Sequence, residues 1–284
     1  MRPGEIVELR PLVRRILCDN PSVFTGPGTN TYLVGHRRGD VAVIDPGPED
    51  EAHLDRVAEA GEGRIKWILV THTHTDHSPG AAGLRERTGA EVIGFDERDG
   101  FVPDRRAGDG FELGATGFAL TGIHTPGHAS NHLCYMLEDE RVLFSGDHIM
   151  NGSTVVIGPP DGDMGAYLEA LRRLRDLDMA VIAPGHGDRI DDPHAKVEEY
   201  LTHRLAREAA IVAAMGASGG PLRIPEIVEA VYVDVPEHLH PIARHSVWAH
   251  LRKLHAEGAV SATDLEDIDA SWSLSPSPEP NANR

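Results

Sequence analysis

The sequence predicts an α/β domain followed by a small, mostly helical module, and three observations lead there. Short apolar runs alternate with segments of helical spacing over the first two-thirds of the chain, the pattern of a layered α/β domain. Four of those runs end in a turn that carries a histidine or an aspartate. After residue 193 the strand signal gives way to three helical stretches and one short apolar run, the outline of a winged-helix-like module. The boundaries read as 1–193 for the α/β domain, 194–262 for the helical module and 263–284 for a flexible acidic tail.

Taken in order, residues 1 to about 48 predict strands and turns. Val13-Arg-Arg-Ile-Leu-Cys18 reads as a strand, and Asn20 to Asn30 as a loop punctuated by Gly and Pro. Thr31–Gly35 and Asp40–Asp45 form a hairpin closed by Pro46-Gly47. Glu49 to Glu59 has helical spacing through Leu54, Val57 and Ala58, and Ile65 to Thr71 is a short buried strand. Ala81 to Thr88 suits a helix, with Ser78 as its cap and Pro79 in its first turn. Strands follow at 91–95, 111–113, 118–123, 132–137 and 141–144, the last two paired through the Glu138–Glu140 turn. Asp163 to Leu177 is an amphipathic helix, and Met179 to Ala183 a buried strand. Ala195 to Met215, Ile224 to Val231 and Pro241 to Glu257 are the three later helices, with Gly216–Gly220 as a linker and Ala259-Val260 as a small strand. From Thr263 the chain is rich in Ser, Pro and acidic residues, so it is expected to be loose. No internal repeat is present.

A chain of 284 residues can bury a full core. The amino terminus has no apolar run of a signal peptide and no stretch has membrane length, so a cytoplasmic protein without membrane partners is expected. Cys18 and Cys134 fall in apolar, strand-like surroundings, which predicts buried reduced thiols. The formal net charge of −18 repels polyanions at long range, so a nucleic-acid substrate would need a local basic patch or metal charge.

The densest chemistry is Val70-Thr-His-Thr-His-Thr-Asp-His-Ser-Pro79, with His72, His74, Asp76 and His77 within six residues. Side chains at i and i+2 of an extended segment leave on one face, so His72 and His74 point the same way. Imidazole and carboxylate together suit a borderline metal such as zinc, and this number of donors can serve two neighbouring ions. Three more apolar strands end in Thr125-Pro-Gly-His128, Phe144-Ser-Gly-Asp147 and Ala183-Pro-Gly-His186. Four strand ends converging on one sheet edge build a single site from distant segments. His72, His74 and His128 would hold one ion, Asp76, His77 and His186 a second, with Asp147 bridging. Two such ions activate a shared water or hydroxide, which is a hydrolase centre.

Asp45 ends a buried strand before Pro46-Gly47 and either caps that turn or holds a metal-ligating histidine. His132 and His148 adjoin ligand turns and are candidates for substrate contact, as are Thr29 and Asn30 of the Gly-Pro-rich loop. His124 reads as a packing histidine behind the site, and histidines 194, 203, 238, 240, 245, 250 and 255 as surface or interface residues.

On His72, His74, Asp76, His77, His128, Asp147 and His186 the chain resembles the metallo-β-lactamase superfamily, with Asp45 matching its first acidic motif. The resemblance spans roughly residues 10–190 and implies an αββα sandwich with metals at one edge of two facing sheets. Asn20 to Val34, together with Pro236-Glu-His-Leu-His240 in a winged-helix-like module, resembles the β-lactamase-like protein 2 family. Animal members of that family are single-strand endoribonucleases, and related fungal proteins are thioesterases acting on carrier proteins. True metallo-β-lactamases usually lack a bridging aspartate, which sets Asp147 against antibiotic hydrolysis. The expectation is therefore a dinuclear zinc hydrolase, iron or manganese being compatible, that uses metal-bound hydroxide oriented by Asp76. Its substrate would be a small or carrier-linked ester or thioester, or a phosphodiester. The alternatives are an RNA endonuclease or nucleic-acid-binding factor working through the C-terminal module, and a mononuclear iron persulfide dioxygenase. The module would otherwise wall the active site or form a homodimer interface.

Overall fold

The computed structural model describes residues 1–152 and 154–276. Fifteen strands and six α-helices are assigned among them. The first sheet holds β1 (Ile6–Arg10), β2 (Val13–Leu17), β3 (Asn30–Val34), β4 (Val41–Ile44), β5 (Ile65–Leu69), β6 (Glu91–Gly94) and β7 (Arg105–Arg106), in that spatial order. Neighbours are antiparallel from β1 to β4 and parallel from β4 to β7. The switch occurs where the chain stops turning back on itself and crosses over through helices α1 (Glu51–Gly61) and α2 (Gly80–Thr88). The predicted hairpin is β3 and β4, with Tyr32 opposite Ile44.

The second sheet has the order β12 (Val181–Pro184), β11 (Val142–Gly146), β10 (Leu133–Leu137), β9 (Phe118–His124), β8 (Glu112–Ala115). Only β11 and β12 run parallel, joined across α3 (Met164–Arg175). The two sheets face each other over a core that includes Tyr32, Ile44 and Leu69 from one and Leu133, Tyr135 and Phe144 from the other. Behind the first sheet, Leu54, Val57 and Leu84 of α1 and α2 close a second core. Behind the other, Tyr167, Leu171 and Leu174 of α3 and Val197 and Leu201 of α4 (Pro193–Ser218) close a third. These four layers are the αββα sandwich. Strands such as β4 and β10, buried on both faces, read as continuous apolar runs because neither surface meets water.

The carboxy-terminal domain packs α5 (Ile224–Val231) and α6 (His240–Ala256) against a small sheet of order β13 (Leu222–Arg223), β15 (Ser271–Leu274), β14 (Val260–Ala262). Two expectations are corrected here. Ser271–Leu274 is the central strand of that sheet and Trp272 is fully buried, so the predicted tail from residue 263 is folded for most of its described length. Burying an indole outweighs the local polarity that predicted disorder; residues 277–284 of that tail lie outside the described residues. The expected linker at Gly216–Gly220 is also displaced, because α4 continues to Ser218 and Gly219 caps it at φ +66°. Ile211 and Met215 in the last turns of α4 belong to the C-terminal core, while Val197 and Leu201 belong to the sandwich. One helix therefore joins the two domains without a flexible break. Among the described residues, no helix is long and apolar enough to cross a membrane.

Candidate metal centre

The seven predicted donors meet at one end of the sandwich, on the segments that follow β5, β9, β11 and β12. They fall into two groups, His72, His74 and His128 in one and Asp76, His77, Asp147 and His186 in the other. In the second group His77 Nε2 lies 3.3 Å from His186 Nε2, 3.5 Å from Asp76 Oδ2 and 3.4 Å from Asp147 Oδ1. His186 Nε2 lies 3.1 Å from Asp76 Oδ2 and 3.3 Å from Asp147 Oδ1. A tetrahedral ion with bonds of about 2.0–2.1 Å spaces its ligand atoms roughly 3.3–3.4 Å apart, so these edges fit one. Asp147 Oδ1 is buried with no well-formed hydrogen bond and only the two imidazole nitrogens near it, an arrangement that suits a shared cation. In the first group His74 Nδ1 lies 2.9 Å from both His72 Nε2 and His128 Nε2, slightly closer than tetrahedral edges. Asp147 Oδ2 is 3.7 Å from His128 Nε2, so the two oxygens of this carboxylate face different groups. The cluster is able to bind metal.

Four of the five histidines have their second ring nitrogen engaged, which fixes which nitrogen faces the site. His77 Nδ1 donates to Asp45 Oδ2 at 2.9 Å and His128 Nδ1 to the Val156 carbonyl at 2.8 Å. His186 Nδ1 donates to the Gly28 carbonyl at 3.2 Å. Thr71 Oγ1 donates to Asp45 Oδ2 at 2.8 Å and can therefore accept from His72 Nδ1 at 3.0 Å. Asp45 thus orients one histidine of each group, directly for His77 and through Thr71 for His72. It does so with φ +52°, a strained backbone for a residue with a Cβ, held by the Thr71 amide on its Oδ1 at 2.8 Å. Of the two roles expected of Asp45, its carboxylate takes that of histidine holder, while the Gly47 amide of the turn bonds the His77 carbonyl.

The two groups differ electrostatically. Burial and the imidazoles of His77 and His74 hold His72 well below the ordinary range, and burial with the adjacent His128 pushes His74 down to about 4. Burial works against charge on His77 and His186 too, but carboxylates outweigh it. Asp76, Asp147 and Asp45 raise His77 well above its usual value, and Asp147 with Asp76 raises His186 to about 9. Burial likewise pulls Asp147 up, yet the imidazoles of His186 and His77 hold it well below the carboxylate range. Positive charge is therefore stabilised in the second group, and a divalent cation would take the place of those protons.

Four residues expected to touch substrate do not face the cleft. Thr29, Asn30, His132 and His148 are each fully buried. Asn30 Nδ2 donates to the carbonyls of Pro184 at 2.9 Å and Gly187 at 2.8 Å, clamping the turn that carries His186. Thr29 is pinned by Asn20, whose Oδ1 accepts from its amide and whose Nδ2 donates to its hydroxyl. His132 Nε2 accepts from the Asp147 amide at 3.1 Å while Nδ1 donates to Thr125 Oγ1 at 2.9 Å, so it positions the Asp147 turn. His148 packs its ring 4.6 Å from that of Tyr167. Ser78 also departs from expectation, since its hydroxyl donates back to the Thr73 carbonyl at 3.2 Å and Pro79 stands at the cap of α2 without a side-chain bond.

Other predictions of buried or packing roles resolve similarly. His124 stacks on Phe95 with centroids 4.4 Å apart, and Cys18 and Cys134 are buried free thiols. His250, expected at the surface, is fully buried on α6 with Nδ1 3.3 Å from Glu208 Oε2. The periodicity that placed α6 correctly does not say which face meets α4. His53 had no sequence signal. It sits on α1 with Nε2 donating to Thr31 Oγ1 at 2.8 Å, and that hydroxyl donates to the Asp45 carbonyl at 2.6 Å.

Above both groups opens a cleft of about 1280 Å³, with Asp76, His74, His128 and Asp147 on its floor and residues of α4, of α6 and of the segment between α5 and α6 on its far side. The C-terminal domain thus walls the site.

The family described as metallo-beta-lactamase superfamily matches residues 24–186, and the beta-lactamase associated winged helix domain matches residues 224–272. A beta-lactamase-like protein 2 homolog from Caenorhabditis elegans is 33% identical over 92% of this chain and 90% of its own length. An atrochrysone carboxyl ACP thioesterase from Aspergillus chevalieri is 34% identical over 82% of this chain and 77% of its own. A crystal structure of a metallo-beta-lactamase family protein from Thermus thermophilus superposes with a TM-score of 0.76 at 24% identity, covering 94% of this chain and 100% of that one, and shares the fold.

Proposed function

The chain belongs to the metallo-beta-lactamase superfamily, and from that membership we propose that it is a dinuclear metal hydrolase of carboxylic esters or thioesters. The observation that carries the reading is Asp147, whose two oxygens face two adjacent donor groups on the floor of one cleft. A shared carboxylate supports two ions over the mononuclear iron alternative. Zinc is the first expectation for these donors, with iron or manganese compatible, and two such cations when bound acidify water and polarise the scissile carbonyl oxygen.

The chain's own residues supply the rest. Asp76 is the donor carboxylate with the more exposed side chain, 24% against 11% for Asp147, so it is placed to accept a hydrogen bond from attacking water and aim its lone pair. Asp45 and Thr71 hold His72 and His77 so that no reorganisation is needed at the moment of attack. The Gly28 and Val156 carbonyls do the same for His186 and His128. The winged-helix wall shields one side of the cleft from water.

Support for an acyl over a phosphodiester substrate comes from the relative named as an acyl-carrier thioesterase and from the net charge of −18. The test is a panel of acyl thioesters, lactones, phosphodiesters and single-stranded RNA presented to the zinc-loaded protein. His72→Ala with His74→Ala should reduce hydrolysis to background while the circular dichroism spectrum stays native. Unchanged hydrolysis by that double variant refutes the assignment.

A further inference from the structure

At about 1280 Å³ the cleft exceeds the roughly 300–1,000 Å³ of ordinary small-molecule sites, so a small ester would leave most of it unused. Its far side carries an apolar stretch beside the polar residues of α4. Val23 and Phe24 are 68% and 56% exposed, yet they are held at the mouth by a turn whose Ser22 Oγ accepts from the amides of Phe24 and Thr25. Across from them the segment joining α5 to α6 contributes Val235 and Leu239, and α6 contributes Ile242. Apolar surface kept exposed on a pinned turn is the kind that a ligand covers.

The charged groups point the same way. Among the described residues, the two arginines lining the cleft both have partners within the protein, although Arg204 Nε is buried without one. Arg207 donates to both Asp234 oxygens at 2.9 Å and to the Val231 carbonyl at 2.7 Å, while the buried Arg204 donates to the Val155 carbonyl. Asp99 and Asp161 add carboxylates to the wall. On α6, Arg244 pairs with Asp269, Arg252 with Glu266, and Lys253 with Glu208 and Glu257. A phosphate backbone would have to displace each of these partners. Hydrocarbon would not.

We infer that the cleft takes an extended apolar acyl group. Its carbonyl lies at the donor groups and its hydrocarbon body lies between Phe24 and the Val235–Leu239–Ile242 face, which sets acyl-length specificity. The inference rests on the hydrolase reading and adds the substrate class and the residues that select it.

The test compares acetyl and octanoyl N-acetylcysteamine thioesters on the zinc-loaded full-length protein. Each buried methylene contributes a factor of about four, so the octanoyl thioester should lead in kcat/KM by at least about a hundredfold. Phe24→Ala with Ile242→Ala should cut that ratio at least about tenfold, a factor that two or so lost methylene contacts would supply. Val233→Ala, 82% exposed and not itself lining the cleft, should leave the ratio as it was. Equal turnover of the two thioesters, or a ratio unmoved by the double variant, overturns the inference. Should neither thioester be hydrolysed, the thioester part of the hydrolase reading fails by itself, and calorimetric titration with dodecanoate decides the cleft. Binding that the double variant weakens supports the apolar wall, and absent or unaffected binding overturns it. Single-stranded RNA that displaces dodecanoate with a steep salt dependence overturns it as well.

Discussion

At the scale of single residues, Asp45 is the most consequential side chain that offers no atom to either donor group. One carboxylate accepts from the Thr71 amide, the Thr71 hydroxyl and His77 Nδ1, and so fixes a histidine in each group. Outer hydrogen-bond partners of this kind typically affect metal affinity or activity by about 10–100-fold, and Asp45→Asn should fall in that range, read by zinc titration against a competing chelator. Activity and zinc affinity equal to wild type would show that Asp45 serves only its turn. His53, which lies outside the donor groups, contributes a separate part of the pH dependence. Burial lowers its folded value to about 4 from an ordinary 6.5, so the unfolded chain binds a proton between those values that the native protein does not. Stability is full above about pH 6.5 and declines as pH falls toward 4, by up to about 3 kcal/mol from this group. Denaturant melts of wild type at pH 7 and pH 4.5 should differ by more than those of His53→Gln, which has no proton to take up.

At the scale of elements, the site depends on where strands stop and what they stop against. Gly127 precedes His128 with φ +140°, and a Cβ there would lie 2.4 Å from Tyr167 Cα at the start of α3. Gly127→Ala must push α3 away or displace His128, because backbone cannot yield as a side-chain tip does. It should lower the melting temperature and the hydrolytic rate together, at a cost of about 1–3 kcal/mol by analogy with overpacked cores. The C-terminal sheet makes the complementary point. Trp272 on β15 is fully buried among residues of α4, α5 and α6, so Trp272→Ala should destabilise by about 3–5 kcal/mol, measured by denaturant unfolding. A surface-like effect below about 0.5 kcal/mol would place that strand outside the domain core.

At the scale of the whole molecule, the sandwich core and the donor cluster are separate structures that share strand ends. The three sandwich cores are made of apolar side chains to which the donors do not contribute. Chelation of metal should therefore abolish activity while leaving far-ultraviolet circular dichroism native, with the melting temperature falling only by the linkage owed to the lost ligand. Collapse of secondary structure on chelation would mean that the metal, and not the apolar layers, holds the fold. The continuous helix α4 gives the winged-helix wall a fixed station over the cleft, since its first turns belong to one core and its last to the other.

The chain's own order of residues determined the layered fold, the six helices, the strands other than β1, β7, β13 and β15, and the seven donors. Those are local signals, because side chains two apart on an extended segment share a face and a turn after a buried strand must open at a sheet end. Tertiary structure decided what each neighbouring polar residue does. Thr29, Asn30, His132 and His148 look like site residues beside ligand turns, yet the first three are bonded as struts and His148 is buried against Tyr167. The bond from His186 to the Gly28 carbonyl spans 158 positions, and the apolar wall joins residues near 24 to residues near 240. Such contacts leave no periodic trace in the sequence, since packing and not spacing along the chain brings their partners together.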